Sequence, residues 1–207
     1  MQLTFIGSSM TKRNKSCESE VMLTMQRKEL LKKSAIRHAE YYGMVEVQDA
    51  LYADSANKKI FTDLISIIGS DANIKMAYRN LKSNKGSNTP GVDGKTFKDL
   101  AEMSEEALVR CVRDKILNYQ PKAVRRVYIP KPNGKMRPLG IPTVIDRIVQ
   151  QSVLQVMEPI CEAKFYRHSY GFRPNRSTKN AVAVCYKLAQ VDGFHYVVDV
   201  DLSLIHI

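Results

Sequence analysis

Apolar positions change period several times along the chain, and each change marks an element. Ile60, Phe61, Leu64, Ile65 and Ile68 recur at i, i+1, i+4, i+5 and i+8, and Ile74, Ala77, Tyr78 and Leu81 at i, i+3, i+4 and i+7. These are the stripes of two amphipathic helices. Gly69-Ser70 separates them, and Asp71 is the expected N-cap of the second, its carboxylate accepting from the unpaired N–H groups of the first turn. Ser104 is placed to cap a further helix that carries Leu108, Val112 and Ile116 on one face. Between them, residues 84–94 (NKGSNTPGVDG) hold three glycines and a proline among Asn, Ser, Thr and Asp, which is loop chemistry.

From Ala123 the period falls to two. Val127 and Ile129 alternate with Arg126 and Tyr128 and run into Pro132-Asn133-Gly134-Lys135, which predicts a β-hairpin whose second strand reaches about Gly140. Thr143 then opens a helix with Asp146 at the N3 position, a variant of the capping box. Its stripe, Ile145, Ile148, Val149, Val153, Val156, Met157 and Ile160, predicts a core-facing helix. A loop from His168 to Ser177 leads to a helix near Thr178 to Gln190, and Phe194 to Asp201 (FHYVVDVD) reads as a buried strand with carboxylates at its end. Residues 1–40 read as a solvated basic arm with weak helical character from about Glu18.

Length and composition narrow the class. A chain of 207 residues, 44% hydrophobic and 26% charged, can bury one sizeable core and is neither collagen-like, disulfide-built nor wholly disordered. Cys17, Cys111, Cys161 and Cys185 stand apart without metal-ligand spacing and read as reduced thiols. The apolar patch from Leu3 to Ile6 has no positive region before it, so no signal peptide is expected. No apolar run approaches the length of a membrane span. The expected compartment is the cytoplasm, with no membrane partner.

Charge changes the picture most. The net charge is +11 and the pI about 9.5, so a polyanionic partner is the first hypothesis. Residues 121–147 carry seven Lys/Arg against Asp146 alone, and residues 164–179 carry Lys164, Arg167, Arg173, Arg176 and Lys179 interleaved with Phe165, Tyr166, Tyr170 and Phe172. Cations with aromatic neighbours suit phosphates and stacked bases, although a solvated face over a core would read the same way. In the hairpin, a two-residue turn puts Lys131 opposite Met136, whereas a three-residue turn over 133–135 puts it opposite Arg137. Like charges directly opposite destabilise a hairpin unless an anion lies between them. Sequence alone leaves both registers open. Strand alternation puts Asp199 and Asp201 on one face, the geometry of a divalent metal site for phosphoryl transfer, but more acids would be needed. The four histidines form no catalytic arrangement.

The segments RRVYIPKPNGKMRPLGIPTVIDRIVQQ (Arg125 to Gln151), YGFRPNRST (Tyr170 to Thr178) and VVDVDLS (Val197 to Ser203) together resemble the group II intron-encoded reverse transcriptases, with the loop NKGSNTPGVDG in the matching place ahead of them. The resemblance covers roughly Ile74 to Ser203. It implies an α+β fold, the fingers of a right-hand polymerase with the first palm strand and a helical N-terminal extension. Divided along the chain, this gives a basic extension over 1–55, a helical part of the fingers over 56–122, the fingers hairpin and helices over 123–193, and a truncated first palm strand over 194–207. It implies RNA-directed DNA synthesis with Mg²⁺, maturase activity in full-length relatives, and as partners intron RNA, an RNA template, a DNA primer and deoxynucleoside triphosphates.

Residue by residue, the resemblance assigns the triphosphate to Arg125, Lys131 and Arg137, and the first catalytic, metal-binding aspartate to Asp201, with the backbone carbonyl of Leu202 beside it. Lys85, Lys122, Arg126, Lys135, Arg173 and Arg176 are the expected contacts to nucleic acid. After Ser203 the family pattern continues through an aromatic-rich turn to a second Asp, whereas this chain reads Leu204-Ile205-His206-Ile207, and the paired palm aspartates are absent. The expectation is therefore a fragment inactive on its own. The rival reading is a non-catalytic RNA-binding module that uses the same basic surface.

Overall fold

A computed structural model of the chain describes residues 37–132 and 134–200. Asp201, Leu202 and the helical character expected near Glu18 lie outside the described residues. The chain divides into two units, Met1–Ala163 and Lys164–Ile207.

In the first unit, α1 runs Met44–Ala56, α2 Leu64–Ile68 and α3 Asp71–Lys82. A 3-10 turn, Lys85–Asn88, leads to the short α4, Phe97–Leu100, and to α5, Glu105–Leu117. Strands β1, Arg125–Pro130, and β2, Met136–Ile141, pair antiparallel, and α6 follows over Val144–Glu162. The fold is mixed helical with one small two-stranded sheet among the described residues.

Local side-chain chemistry sets the helix starts. Ser104 accepts from the Ala107 N–H and Thr143 from the Asp146 N–H, as their sequence positions predict. Two expectations are corrected. The first stripe yields a helix of five residues, because Asp63 caps it by accepting from the Ser66 N–H; Ile60 and Phe61 precede it, Ile60 being 84% exposed. The cap of α3 is Ser70, not Asp71: Ser70 has extended backbone and its hydroxyl accepts from the Asn73 N–H. Asp71 is instead the first helical residue, where its carboxylate faces the positive helix end and pairs with Arg113.

Helix α6 lies at the centre, contacting α1, α2, α3 and α5. Its Val144, Ile148, Val149, Val156 and Ile160 are buried against Leu51, Ile68, Ile74 and Ala77, and against Leu108, Val109, Val112 and Ile116 of α5. Val153, expected in the stripe, is 38% exposed, and Ser152 and Gln155 take up buried positions instead. The Ser152 hydroxyl donates to the Ile148 carbonyl of its own helix at 2.9 Å, and Gln155 is tolerated because a polar partner arrives from α3. Asn73 Nδ2 donates to the carbonyls of Ile68 and Ser152, 2.9 Å each. Gln155 Nε2 donates to Asn73 Oδ1 at 2.7 Å and to its carbonyl at 3.1 Å. Asn80 Nδ2 donates to Gln155 Oε1 at 3.0 Å.

Pro159 lies inside α6 and has no N–H, so the Gln155 carbonyl loses its helical donor. Gln48 Nε2 of α1 supplies the replacement at 3.1 Å, and one turn further on the Ser55 hydroxyl donates to the Ile160 carbonyl at 2.7 Å. These two bonds fix the register of α1 on α6.

In the second unit, α7 runs Thr178–Gln190, capped by Ser177, and buries no residue. The buried strand expected at Phe194 to Asp201 is not found over 194–200. Among the described residues that segment has no ladder partner, and Tyr196 and Val197 are each 95% exposed. Its composition suits a strand, but a strand exists only through the neighbour that takes its N–H and C=O groups.

Candidate nucleic-acid interface

The hairpin adopts neither register weighed from the sequence. Ile129 pairs with Arg137 and Pro130 with Met136; beyond them the Lys131 N–H donates to the Lys135 carbonyl at 2.8 Å and the Gly134 N–H to the Lys131 carbonyl at 3.0 Å. This is the bond pattern of a four-residue turn closed by a bulge, with Gly134 at φ 78°, a conformation that favours glycine. Pro132 takes the second turn position, where its fixed φ is pre-set. The residue opposite Lys131 is therefore Lys135, and Arg137 is its diagonal neighbour.

Residues directly opposite in an antiparallel pair share a face. Arg125, Val127 and Ile129 of β1 thus lie on the face of Ile141, Leu139 and Arg137 of β2. Continued one residue into the turn, the same alternation adds Lys131 and Lys135. One face accordingly has an apolar middle, a cation at its base and three cations at its tip. Three positive groups this close repel one another, and a bound anion would relieve that. Arg126, Tyr128, Pro130 and Met136 occupy the other face.

The base of the hairpin is tied to the glycine-rich loop. Arg125 Nε donates to the Pro90 carbonyl at 3.0 Å. Arg147, in the first turn of α6, donates through Nε to Pro142 at 3.1 Å, through one terminal nitrogen to Gly86 at 3.0 Å and through the other to Thr89 at 2.5 Å, carbonyls in each case. Burial pushes its guanidinium down from the usual value, with Arg125 acting in the same direction and Asp93 against. Gly91 is buried, and a Cβ there would stand 2.7 Å from Thr143 Cα and 2.9 Å from the Pro142 carbonyl; only glycine lets the loop approach α6 so closely. At that junction Thr143 Oγ1 donates to Asp146 Oδ2 at 2.7 Å, while the buried Asp146 Oδ1 has no hydrogen-bond partner among the described residues. Sequence alone reads Arg147 only as a charge, whereas its donors are spent on fastening the loop.

The other predicted contacts fall in different places. Lys85, Lys122 and Arg126 are exposed in the first unit, Lys85 on the 3-10 turn and Arg126 on the hairpin face away from Arg125. In the second unit, Arg173 donates to the carbonyls of Tyr166 and Ser169 at 2.9 and 3.0 Å and stands over the Phe165 ring. Arg176 donates to the Arg167 carbonyl at 2.8 Å and stands over Tyr170. Both guanidinium groups thus organise the 164–177 loop. Asp199 is exposed, and no group of three or more His, Cys, Asp or Glu that could hold a metal comes together among the described residues. They do not by themselves fit a Mg²⁺ site.

Residues 129–204 match the family described as Reverse transcriptase (RNA-dependent DNA polymerase). Over 108 residues the chain is 51% identical to Protein YkfC of Escherichia coli K12, covering 51% of this chain and 28% of that protein. It is 43% identical over 108 residues to the Group II intron-encoded protein LtrA of Lactococcus lactis subsp. cremoris, covering 52% and 18%. It is 30% identical over 161 residues to the Putative COX1/OXI3 intron 1 protein of Saccharomyces cerevisiae, covering 75% and 18%. The chain therefore spans less than a third of the length of each of these relatives.

Proposed function

Because this chain belongs to the group II intron-encoded reverse transcriptases, we propose that its first unit serves as the fingers of an RNA-directed DNA polymerase, with the cationic face of the hairpin receiving the triphosphate of the incoming nucleotide. The observation that carries this reading is the hairpin register. Arg125, Lys131 and Arg137 share one face although they are six residues apart in each step along the chain, and Lys135 joins them. Their role in the reaction is electrostatic: cations fixed beforehand around the triphosphate stabilise the charge that moves onto its leaving oxygens. Arg125 also holds Pro90, so the glycine-rich loop and the hairpin expected to hold the nucleotide are fastened to each other.

Mg²⁺ is the metal such chemistry takes, and Asp201 with the Leu202 carbonyl is its proposed holder in a longer chain. Asp201 lies outside the described residues. Intron RNA, an RNA template, a DNA primer and deoxynucleoside triphosphates are the proposed partners. The test uses the chain extended to the length of its relatives. Lys131→Ala and Arg137→Ala should each raise the KM for deoxynucleotide about tenfold or more while RNA affinity stays within about twofold, since a charge-assisted contact to the nucleotide is worth about 1.5–3 kcal/mol. Equal losses in RNA affinity and nucleotide use would assign these residues to a general basic surface.

A further inference from the structure

Two guanidinium groups hold neighbouring carbonyls of the glycine-rich loop. Arg147 donates to Thr89 at 2.5 Å and to Gly86 at 3.0 Å, and Arg125 Nε donates to Pro90 at 3.0 Å. The link between the two is short and stiff. Thr89 has φ −92° and ψ 113°, in the extended region to which a following proline confines it, and the ring of Pro90 fixes the next φ at about −65°. Gly91 is then seated against Thr143. Arg147 stands in an unfavourable place for a cation: it lies in the first turn of α6, at the positive end of the helix, and Arg125 is near enough to push its guanidinium toward the neutral form. Its three carbonyl bonds offset that cost. Arg125 engages the protein through Nε alone. Among the described residues its two terminal nitrogens make no hydrogen bond, and because the guanidinium is a planar fork, holding Nε narrows where they point.

From these contacts we infer that Arg147 is a positioning residue for the incoming nucleotide, acting through Thr89 and Pro90 to aim the terminal nitrogens of Arg125 at the triphosphate. The inference rests on the reading of the hairpin face as the triphosphate site. Arg147 has Nε and both terminal nitrogens engaged by carbonyls, so it acts on the nucleotide through another residue and not by contact. A guanidinium contact to phosphate depends on orientation as well as charge, and a loosened loop should therefore weaken it although every charge stays in place. Lysine at position 147 is the test of that distinction: it keeps the charge and loses the fork that matches three carbonyls at once.

The experiment is a double-mutant cycle, read by titration calorimetry of the 207-residue chain with deoxythymidine triphosphate in the absence of divalent ions. Arg125→Ala should weaken binding about tenfold or more, as for a lost charge-assisted contact. Arg147→Lys should weaken it about fivefold in the parent and less than about 1.5-fold in Arg125→Ala, where the group it aims is gone. Pro90→Ala, which keeps the carbonyl and frees the backbone on either side, should show the same pattern at about threefold. In proton–nitrogen spectra the Nε–H signal of Arg125, identified by its loss in Arg125→Ala, should move and exchange faster with water in both Arg147→Lys and Pro90→Ala. Thermal melts check that the variants fold; if Arg147→Lys does not, Pro90→Ala and its Nε–H signal decide. An equal loss in both Arg125 backgrounds, or an undisturbed Arg125 signal, would assign Arg147 to general stability and overturn the inference. Lys131→Ala separates that failure from failure of the underlying reading. If Lys131→Ala weakens nucleotide binding while the Arg147 cycle shows no coupling, the inference alone falls. If the parent does not bind, or neither Lys131→Ala nor Arg125→Ala changes binding, the triphosphate site lies elsewhere and both fall.

Discussion

Replacing Gln48 by Met removes the donor that compensates for Pro159 while keeping side-chain length and bulk. In the parent, the Gln155 carbonyl has no helical N–H to accept from, and Gln48 Nε2 stands 3.1 Å away. The group is partly buried, so its loss costs about 1–2 kcal/mol, toward the lower part of the range for an orphaned polar group. With a urea m-value of about 2 kcal/mol/M, the midpoint followed by far-ultraviolet circular dichroism should fall by about 0.5–1 M. The decisive comparison puts the same substitution into Pro159→Ala. Alanine at that position restores an N–H that can donate to Gln155, so Gln48→Met should then cost less than about 0.5 kcal/mol, leaving a coupling of about 1 kcal/mol between two side chains that do not bond to each other. Coupling below about 0.3 kcal/mol, the range in which independent sites add, would refute the idea that Gln48 is there because residue 159 is proline.

Other outcomes follow from the same geometry. Gly91→Ala forces a Cβ against the backbone of Thr143 and Pro142 and should cost about 1–3 kcal/mol by overpacking, whereas Gly86→Ala, with nothing within 4 Å and no positive φ, should change stability by less than about 1 kcal/mol; similar urea midpoints for the two would contradict the close approach. If Asp201 is the proposed metal holder, the 207-residue chain by itself should not extend a primer on an RNA template with Mg²⁺ or Mn²⁺, because one carboxylate with Asp199 next but one in sequence is too few to hold two ions; extension that disappears in Asp201→Asn would show that other ligands exist. The Thr96 hydroxyl and N–H both donate to Asp99 and hold its carboxyl below the ordinary range. A lowered folded pKa contributes stability that is present above the unfolded value and fades as pH falls through the folded one. Thermal melts should therefore show the parent losing more than Asp99→Asn on acidification below about pH 4, and parallel curves would remove that contribution.

How far the sequence can be read depends on how far apart the deciding partners lie. Ser104 and Thr143 act on N–H groups three residues away, and both caps are legible. The α6 stripe is legible except where polar residues replace apolar ones: Gln155 is a core position only because Asn73 arrives from 82 residues away, while Ser152 returns its hydroxyl to the Ile148 carbonyl of its own helix. Arg147 looks like one more cation in a basic stretch, since two of its three carbonyls are about sixty residues distant. The hairpin fails locally. Its turn is expected at Asn133-Gly134 or 133–135, while Pro132 in the second turn position and Gly134 as the bulge residue are the signals that select the register observed. At the candidate site, Arg125, Lys131 and Arg137 can be named from resemblance, but their common face depends on that register. The strand expected from Phe194 shows the converse limit, a suitable composition that finds no partner among the described residues.

The hairpin is held at one end. Arg125 bonds to Pro90 at its base, where the bare Gly140 lies so near Val124 that a Cβ would come within 2.9 Å of Cγ2, and its tip residues are exposed. It is in effect a lever about 20 Å long by strand rise, so a tilt of about 6° at the base displaces the tip by about 2 Å. Displacements of that size are large beside the tolerance of a reacting geometry. The aim of Lys131 and Arg137 is therefore set at Val124, Gly140 and Pro90, residues that carry no charge, and sequence change at this fulcrum would redirect the cations without altering either one.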